Sequence, residues 1–313
     1  MVVMTAAKPT VSAGRGSRQV RRNPSHRGDW RLALILILPA TVGFIIFALY
    51  PLVRGIYLSF TDFHILTPPV WSGIANYQQL LSDGVFWNSL GVTVYFVILS
   101  VGFGLAISLV TAVILHRLTK SSVIRGIVLL PFLISGVVAA LVWQWMLDPG
   151  LGIVNALIKA FGGHSILFLG SQDWVIPTLA FISIWKAMGY NAILIFAGLQ
   201  TIPGEIYEAG RIDGAGEIRM FTKLTLPLLR PIMAMVVVLT IISSFQVFDL
   251  VAVTTKGGPA NASNVLPLYI YKTGFAEFNF GYALTMSMAL FVMLLIITFF
   301  QMRLMRANDT DTN

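Results

Sequence analysis

Two groups of polar side chains interrupt long apolar runs, and their types define the chemistry on offer. Lys186 stands about midway along one run, with Ser183 before it and Tyr190 and Asn191 after it. Ser243, Ser244 and Gln246 lead into Phe248 and Asp249 at the end of another. Amides and hydroxyls exchange hydrogen bonds with a polyhydroxylated solute, and aromatic rings cover its apolar faces. Tyr190, Asn191, Gln246 and Phe248 suit that chemistry. A charge at the centre of a membrane helix costs about 2.5–3.5 kcal/mol on insertion scales. Lys186 is therefore expected either to pair with a carboxylate such as Asp249 or to snorkel to the outer interface. The same polar groups also serve as hydrogen bonds between helices, worth about 0.6–2 kcal/mol each, and both readings stay open. Bond-making chemistry has no comparable pattern. The chain has no cysteine, which excludes disulfides, thiolate metal sites and cysteine nucleophiles. His26, His64, His116 and His164 lie too far apart for ligand spacing, so neither a metal site nor a catalytic residue is assigned.

These groups need elements to carry them. The chain is 57% hydrophobic and 11% charged, against about 25% charged in an average globular protein, so a bilayer must be its solvent. Crossing about 30 Å of hydrocarbon takes about 20 residues. Six runs are long enough, near 32–53, 88–115, 123–146, 174–199, 227–248 and 283–301. Backbone groups in lipid must be bonded internally, so these runs are expected as helices.

Six spans put both termini on one side. With that side cytoplasmic, the tail carries Lys8, Arg15, Arg18, Arg21, Arg22, Arg27 and Arg31, and the inner loops carry Arg117, Lys120, Arg125, Arg211, Arg219, Lys223 and Arg230. Arg303 and Arg306 follow the last span, which leaves Arg54, Lys159, Lys186, Lys256 and Lys272 elsewhere. Positive charge favours the cytoplasmic side, so the net charge of +8 orients a membrane protein and does not call for nucleic acid. The basic tail over 1–30 is expected to be disordered near lipid headgroups, and the first span reads as a retained signal anchor. The loops near 54–87, 147–173 and 249–282 face outward, with Trp71, Tyr77, Phe86, Trp87, Trp143 and Trp145 as interfacial-belt candidates and 255–259 as a turn by composition.

The remaining polar segment, 205–227, sits between two spans and is placed inside by charge. Pro203 suits a first helical turn, and Glu205 and Glu208 near a helix N-terminus are favoured by its dipole. Gly214 and Gly216 permit a sharp turn, and Arg219 and Lys223 share a face four residues apart. A short helix, a turn and a second short helix are expected, with Ala209, Gly210 and Ala215 as a small-residue surface for close approach by another protein. An interfacial helix lying on lipid is the alternative.

This segment resembles the cytoplasmic loop motif of ABC importer permeases: Glu-Ala-Ala, three residues, Gly, nine residues, Ile-x-Leu-Pro. Glu208 and Ala209, Gly214 and Leu226-Pro227 match; Gly210 replaces the second Ala and Leu224 the Ile. From about Tyr50 to Gln301 the chain is similar to the first permease subunit of carbohydrate importers of the maltose, multiple-sugar and glycerol-phosphate type. Tyr50-Pro51, Ser59-Phe60-Thr61-Asp62, Gly73, Asn76-Tyr77, Trp185-Lys186, Gly189-Tyr190-Asn191, Gly198-Leu199-Gln200, Phe248-Asp249, Gly257-Gly258-Pro259 and Gly281-Tyr282 carry that likeness.

The resemblance implies an all-α integral membrane protein with the type I importer permease fold. A first helix and outer loop over 31–85 would precede a permease core over 86–303 and a cytoplasmic tail over 304–313. It also implies a second six-helix permease, two ATPase subunits holding ATP and Mg, an extracytoplasmic solute-binding protein, and the inner membrane of a bacterium or archaeon. Glu205, Glu208, Ala209, Gly210, Asp213, Gly214 and Ala215 would dock on the ATPase. The chain itself lacks a G-x-x-x-x-G-K-[ST] phosphate loop. A secondary transporter would favour discontinuous helices and mid-membrane carboxylates, and an integral-membrane enzyme would cluster catalytic groups at an interface; the sequence shows neither.

Overall fold

The computed structural model describes residues 29–118 and 121–307. The expectations for the basic tail over 1–28, for Lys120 and for 308–313 lie outside the described residues. The chain divides into a unit ending at Val53 and one beginning at Arg54.

The first unit holds the helix Asp29–Phe44, one π turn, Ile45–Leu49, and the start of the helix Tyr50–Ser59. Leu36 and Phe47 are 71% and 81% exposed, a surface that suits lipid.

In the second unit the helix Val175–Gln200 is the axis, and it is the most buried of the spans. It lies along the 35-residue helix Gly84–Leu118. One half of the core gathers Phe96, Ala140, Val175, Leu179, Val251 and Leu268. The other gathers Ala112, Leu115, Ile195, Leu199, Leu229 and Val236. Lipid gives packed helices little hydrophobic drive to associate, so close backbone approach matters. Gly189 provides it: a Cβ there would overlap the carbonyl oxygen of Val128 on the helix Ser122–Leu133. The sixth helix, Phe280–Ala307, outlasts its expected end.

Two spans differ from the sequence expectation. The third is not one helix but two, Ser122–Leu133 and Gly136–Met146, meeting at 89°. Pro131 removes a backbone donor from the first half, and Ile134 and Ser135 are extended (ψ 135° and 141°). The fifth span does not stop at Phe248: Arg230–Phe245 breaks at Gln246 and resumes as Asp249–Thr254.

The segments between the first and second spans are folded, while Trp71 and Trp87 stay exposed. Thr61–Asp62 pairs antiparallel with Val70–Trp71, and Trp71 stacks on Phe60 at 5.7 Å. Asn76 Nδ2 donates to the carbonyls of Ser59 and Thr61 (3.0 and 2.9 Å). Phe86 is a core residue, 2% exposed. Trp143 packs edge-on against Phe181 and Trp185, so it too leaves the belt, whereas Trp145 remains exposed.

Candidate functional site

The polar segment between the fourth and fifth spans forms the expected helix, turn and second helix. Pro203 caps Gly204–Ile212, with Glu205 in the first turn and Arg211 in the last, each matching the sign of the helix dipole. The helix ends where Gly214 adopts a left-handed φ of +74°. There the Gly214 N–H reaches the Arg211 carbonyl (3.0 Å) and the Ala215 N–H the Gly210 carbonyl (2.9 Å), satisfying carbonyls that the helix end leaves open. The second helix, Glu217–Met220, widens into a π turn, Phe221–Thr225, so the fifth span begins after Leu229, later than expected. Gly216 has an ordinary φ of −70°.

Side chains tie this element to the helix bundle. Tyr207 Oη and Thr225 Oγ1 share a hydrogen bond of 3.1 Å, and Arg117 at the end of the second span pairs with Glu217 at 2.8 Å. Glu205, Glu208, Ala209, Asp213 and Gly214 are exposed and Ala215 is half-buried. Gly210 is buried, and a Cβ there would meet Leu224 Cδ1 at 2.9 Å. The small-residue surface is therefore Ala209 with part of Ala215, and Gly210 faces inward because Leu224 occupies the space a methyl would need. The sequence reading missed two members of the exposed face: Ile212 and Ile218 are 85% and 81% exposed beside the turn. Their signal was apolar side chains amid charged ones. Glu208 also borders a cavity of about 420 Å³ with His116, Arg117, Arg211 and Glu217.

The other candidate residues meet where the third and fifth spans break. A cavity of about 470 Å³ is lined by Ser100, Phe132, Lys186, Tyr190, Asn191 and Ser243 among others. It shares Ser183, Lys186 and Ser243 with one of about 270 Å³ that holds Gln246, Phe248 and Asp249. All six residues singled out for the path thus line one or the other of these two neighbouring cavities. A Cβ on Gly136 would stand 3.2 Å from Asp249 Oδ2 and 3.7 Å from Lys186 Nζ, so the two charges flank the break in the third span. Among the described residues the ion pairs are Asp62–His64 and Arg117–Glu217. Lys186 and Asp249 are near each other without closing a pair. The carboxylate also lies beside the N-terminus of the helix Gly136–Met146, where negative charge is favoured.

Not every member is free for a solute. Asn191 is 5% exposed and donates to Thr240 Oγ1 at 3.2 Å, which matches the interhelical role. Tyr190 stacks on Phe132 with centroids 4.4 Å apart. Gln246 and Asp249 are exposed, and Ser100 Oγ, on the cavity wall, is buried without a hydrogen-bond partner.

The structure thus holds an exposed helix–turn–helix and a polar cavity between broken spans. The model of the family described as "Binding-protein-dependent transport system inner membrane component" matches residues 40–310. The chain belongs to this family. It is 30% identical to the sulfoquinovosyl glycerol transport system permease protein SmoG of Agrobacterium fabrum, over 90% of this chain and 92% of that protein. It is 31% identical to the trehalose/maltose transport system permease protein MalF of Thermococcus litoralis, over 86% and 91%. Among solved structures it resembles a bacterial alginate ABC transporter in complex with an alginate pentasaccharide-bound periplasmic protein. There the TM-score is 0.77 at 25% identity, covering 87% of this chain and 93% of that one.

The chain is thus a multi-pass membrane permease of an ABC importer, whose ATPase is a separate subunit. A secondary transporter would favour discontinuous helices, and the third span is broken. It is the family membership that excludes that reading.

The permease also depends on a residue the sequence reading did not single out. Asp83 precedes the second span and accepts from the Val85 and Phe86 N–H groups (2.8 and 3.2 Å). It also accepts from the hydroxyls of Tyr269 and Tyr282 (2.7 and 2.6 Å). Burial pushes this carboxyl up, but the four donated bonds outweigh it and hold the group below its ordinary value near 3.8. Burial and the bond to Asp83 in turn push the Tyr269 hydroxyl well above its usual range.

Proposed function

We propose that this permease carries a sugar across the inner membrane of a bacterium or archaeon and is driven through the 205–227 element. The observation that carries the coupling role is the helix–turn–helix that presents Glu208, Ala209, Asp213, Ile212 and Ile218 outward, closed on itself by Tyr207 and Thr225, while Arg117 pairs it with the second span and the chain runs from it directly into the fifth. An element so braced passes a push on its exposed face to those spans. Glu205, Glu208, Ala209, Asp213, Gly214 and Ala215 form the docking face, and Gly210 lets Leu224 close beneath it. The ATPase pair supplies ATP and Mg; a second permease completes the path, and an extracytoplasmic binding protein delivers the solute. Both termini lie in the cytoplasm by the positive-inside rule. The 86–303 core does the transport, with 31–85 as an added helix and outer loop, and the tails over 1–30 and 304–313 remain cytoplasmic.

The carbohydrate assignment is supported by the sugar-bearing compounds named for the relatives and by the hydroxyl, amide and aromatic lining of the cavity. Lys186, Tyr190, Gln246, Phe248 and Asp249 contact the solute, and Asn191 acts through packing. The test of coupling is Glu208→Lys in the complete complex. Sugar uptake into proteoliposomes is expected to fall at least about tenfold, with weakened retention of the ATPase subunits on purification. Full retention and unchanged uptake would remove the docking assignment.

A further inference from the structure

Five aromatic rings from separate stretches of the chain form an unbroken row that ends on the cavity wall. Phe248 borders the cavity beside Gln246 and Asp249, and its ring centroid is 5.1 Å from that of Tyr271. Tyr271 stacks on Phe275 at 5.1 Å and 27°. Phe275 meets Phe280 at 5.4 Å, and Phe280 meets Phe63 at 5.9 Å. Every step falls within the roughly 4.5–7 Å of direct aromatic contact. The row runs from the cavity to the strand pair Thr61–Asp62 and Val70–Trp71, on the side opposite the docking element.

The row is open where core rings are not. Tyr271 and Phe275 are 47% and 61% exposed, whereas Phe86 and Phe96 are 2% and 0%. It is also held still. Tyr271 ends the helix Leu266–Tyr271, and Phe275 lies in the π turn Lys272–Ala276. The Leu266 N–H donates to Thr93 Oγ1 at 2.8 Å, and Lys272 Nζ donates to the Lys256 carbonyl at 3.0 Å. A lipid-facing belt needs only apolar area; nothing in that role asks for ring-to-ring contact or for an end point among Gln246, Asp249 and Lys186.

We propose that this row is a binding track for pyranose rings, with sugar faces lying over Tyr271 and Phe275 on the way to Phe248 and the cavity. The proposal rests on the carbohydrate reading above. The track offers aromatic faces to the C–H side of a sugar, and each ring hands the solute to its neighbour.

The test compares Phe275→Trp, Phe275→Leu and the double variant Tyr271→Ala/Phe275→Ala in the complete complex with its second permease, ATPases and binding protein. Uptake of trehalose, maltose and an alginate oligosaccharide is measured in proteoliposomes, alongside subunit co-purification. Phe275→Trp is expected to keep uptake, and the Leu and double-Ala variants to lose about tenfold with all subunits retained. Uptake by Phe275→Leu equal to that of the unmodified complex would make the row an apolar surface for lipid. Loss of the second permease from the purified complex would make it a subunit interface. Normal uptake by the double variant would overturn the track outright. If the unmodified complex moves no member of a wider panel of mono- and oligosaccharides and glycosyl glycerols that includes these three, the carbohydrate reading fails and the track falls with it; the other adverse results overturn the track alone.

Discussion

The segments 204–228 and 249–276 both join apolar spans, yet they are held by opposite means. The first closes on itself. Its turn bonds link residues three to five positions apart, and Tyr207 meets Thr225 within the same segment. The second is fixed by residues far away in the chain. Asn264 Nδ2 donates to Ser89 Oγ at 3.0 Å, the Leu266 N–H to Thr93, and Tyr269 to Asp83. Backbone conformation follows the same divide. In the first segment only Gly214 is left-handed, while in the second Lys256, Ala260 and Asn261 have φ values of 53°, 45° and 62°. Such residues are uncommon there and persist where surrounding contacts over-determine them. A self-contained element suits a part that is pushed by another subunit. A segment anchored on the second span suits a wall that must keep its shape.

The largest test of this contrast is Gly214→Pro. Proline cannot take a φ of +74° and would remove the N–H that bonds Arg211. Sugar uptake is expected to fall below detection. The protein should still insert and keep the melting temperature of its bundle in detergent, because the damage is local. A bundle that melts early would show the element to be part of the core.

Asp83→Ala should do the reverse. It removes the acceptor of four hydrogen bonds, with a loss of about 1–3 kcal/mol. It should loosen 249–276 while leaving ATPase retention intact, as amide exchange along that segment would show. The carboxyl is held below 3.8, so its contribution is complete above that pH and is lost as pH falls through the lower folded value. Acid melting of the unmodified protein should show that loss, and the Ala variant should not. A steeper acid loss in the variant would contradict the sign.

Asn264→Leu is expected to cost about 1–2 kcal/mol by leaving Ser89 and Lys272 short of a partner, again without touching the docking side. Arg117→Gln should have the smallest effect, about 0.2–1 kcal/mol, because both partners of its pair with Glu217 are half exposed. Raising the salt concentration should erase that difference; a difference that survives high salt would mean the bridge is not an ordinary surface pair.

The legibility of the molecule follows the same divide. The spans, the short helices of the docking element and the turn at Gly214 are set by apolar run length, charge placement and residues a few positions apart, and the chain displays all three. The break at Ile134 and Ser135 went unread because hydropathy runs through it unchanged, although Pro131 marks it locally; the structure adds that Asp249 and Lys186 meet at Gly136 beside the bend. Gly210 was read as surface because one helix by itself does not reveal that Leu224 folds back over it. Trp143 was assigned to the belt for the same reason, since its partners Phe181 and Trp185 come from another span.

The sequence by itself determined that this chain lives in a bilayer, which runs are long enough to cross it and which short segment forms a helix–turn–helix between two of them, because hydrophobicity, charge asymmetry and local spacing act over a few turns of helix. The tertiary structure alone decided that Lys186 and Asp249 meet at Gly136, that Asp83 gathers Tyr269 and Tyr282, and that five rings line up toward the cavity. Those arrangements join residues as far apart in the chain as Phe63 and Phe280, and no local propensity encodes where such distant side chains meet.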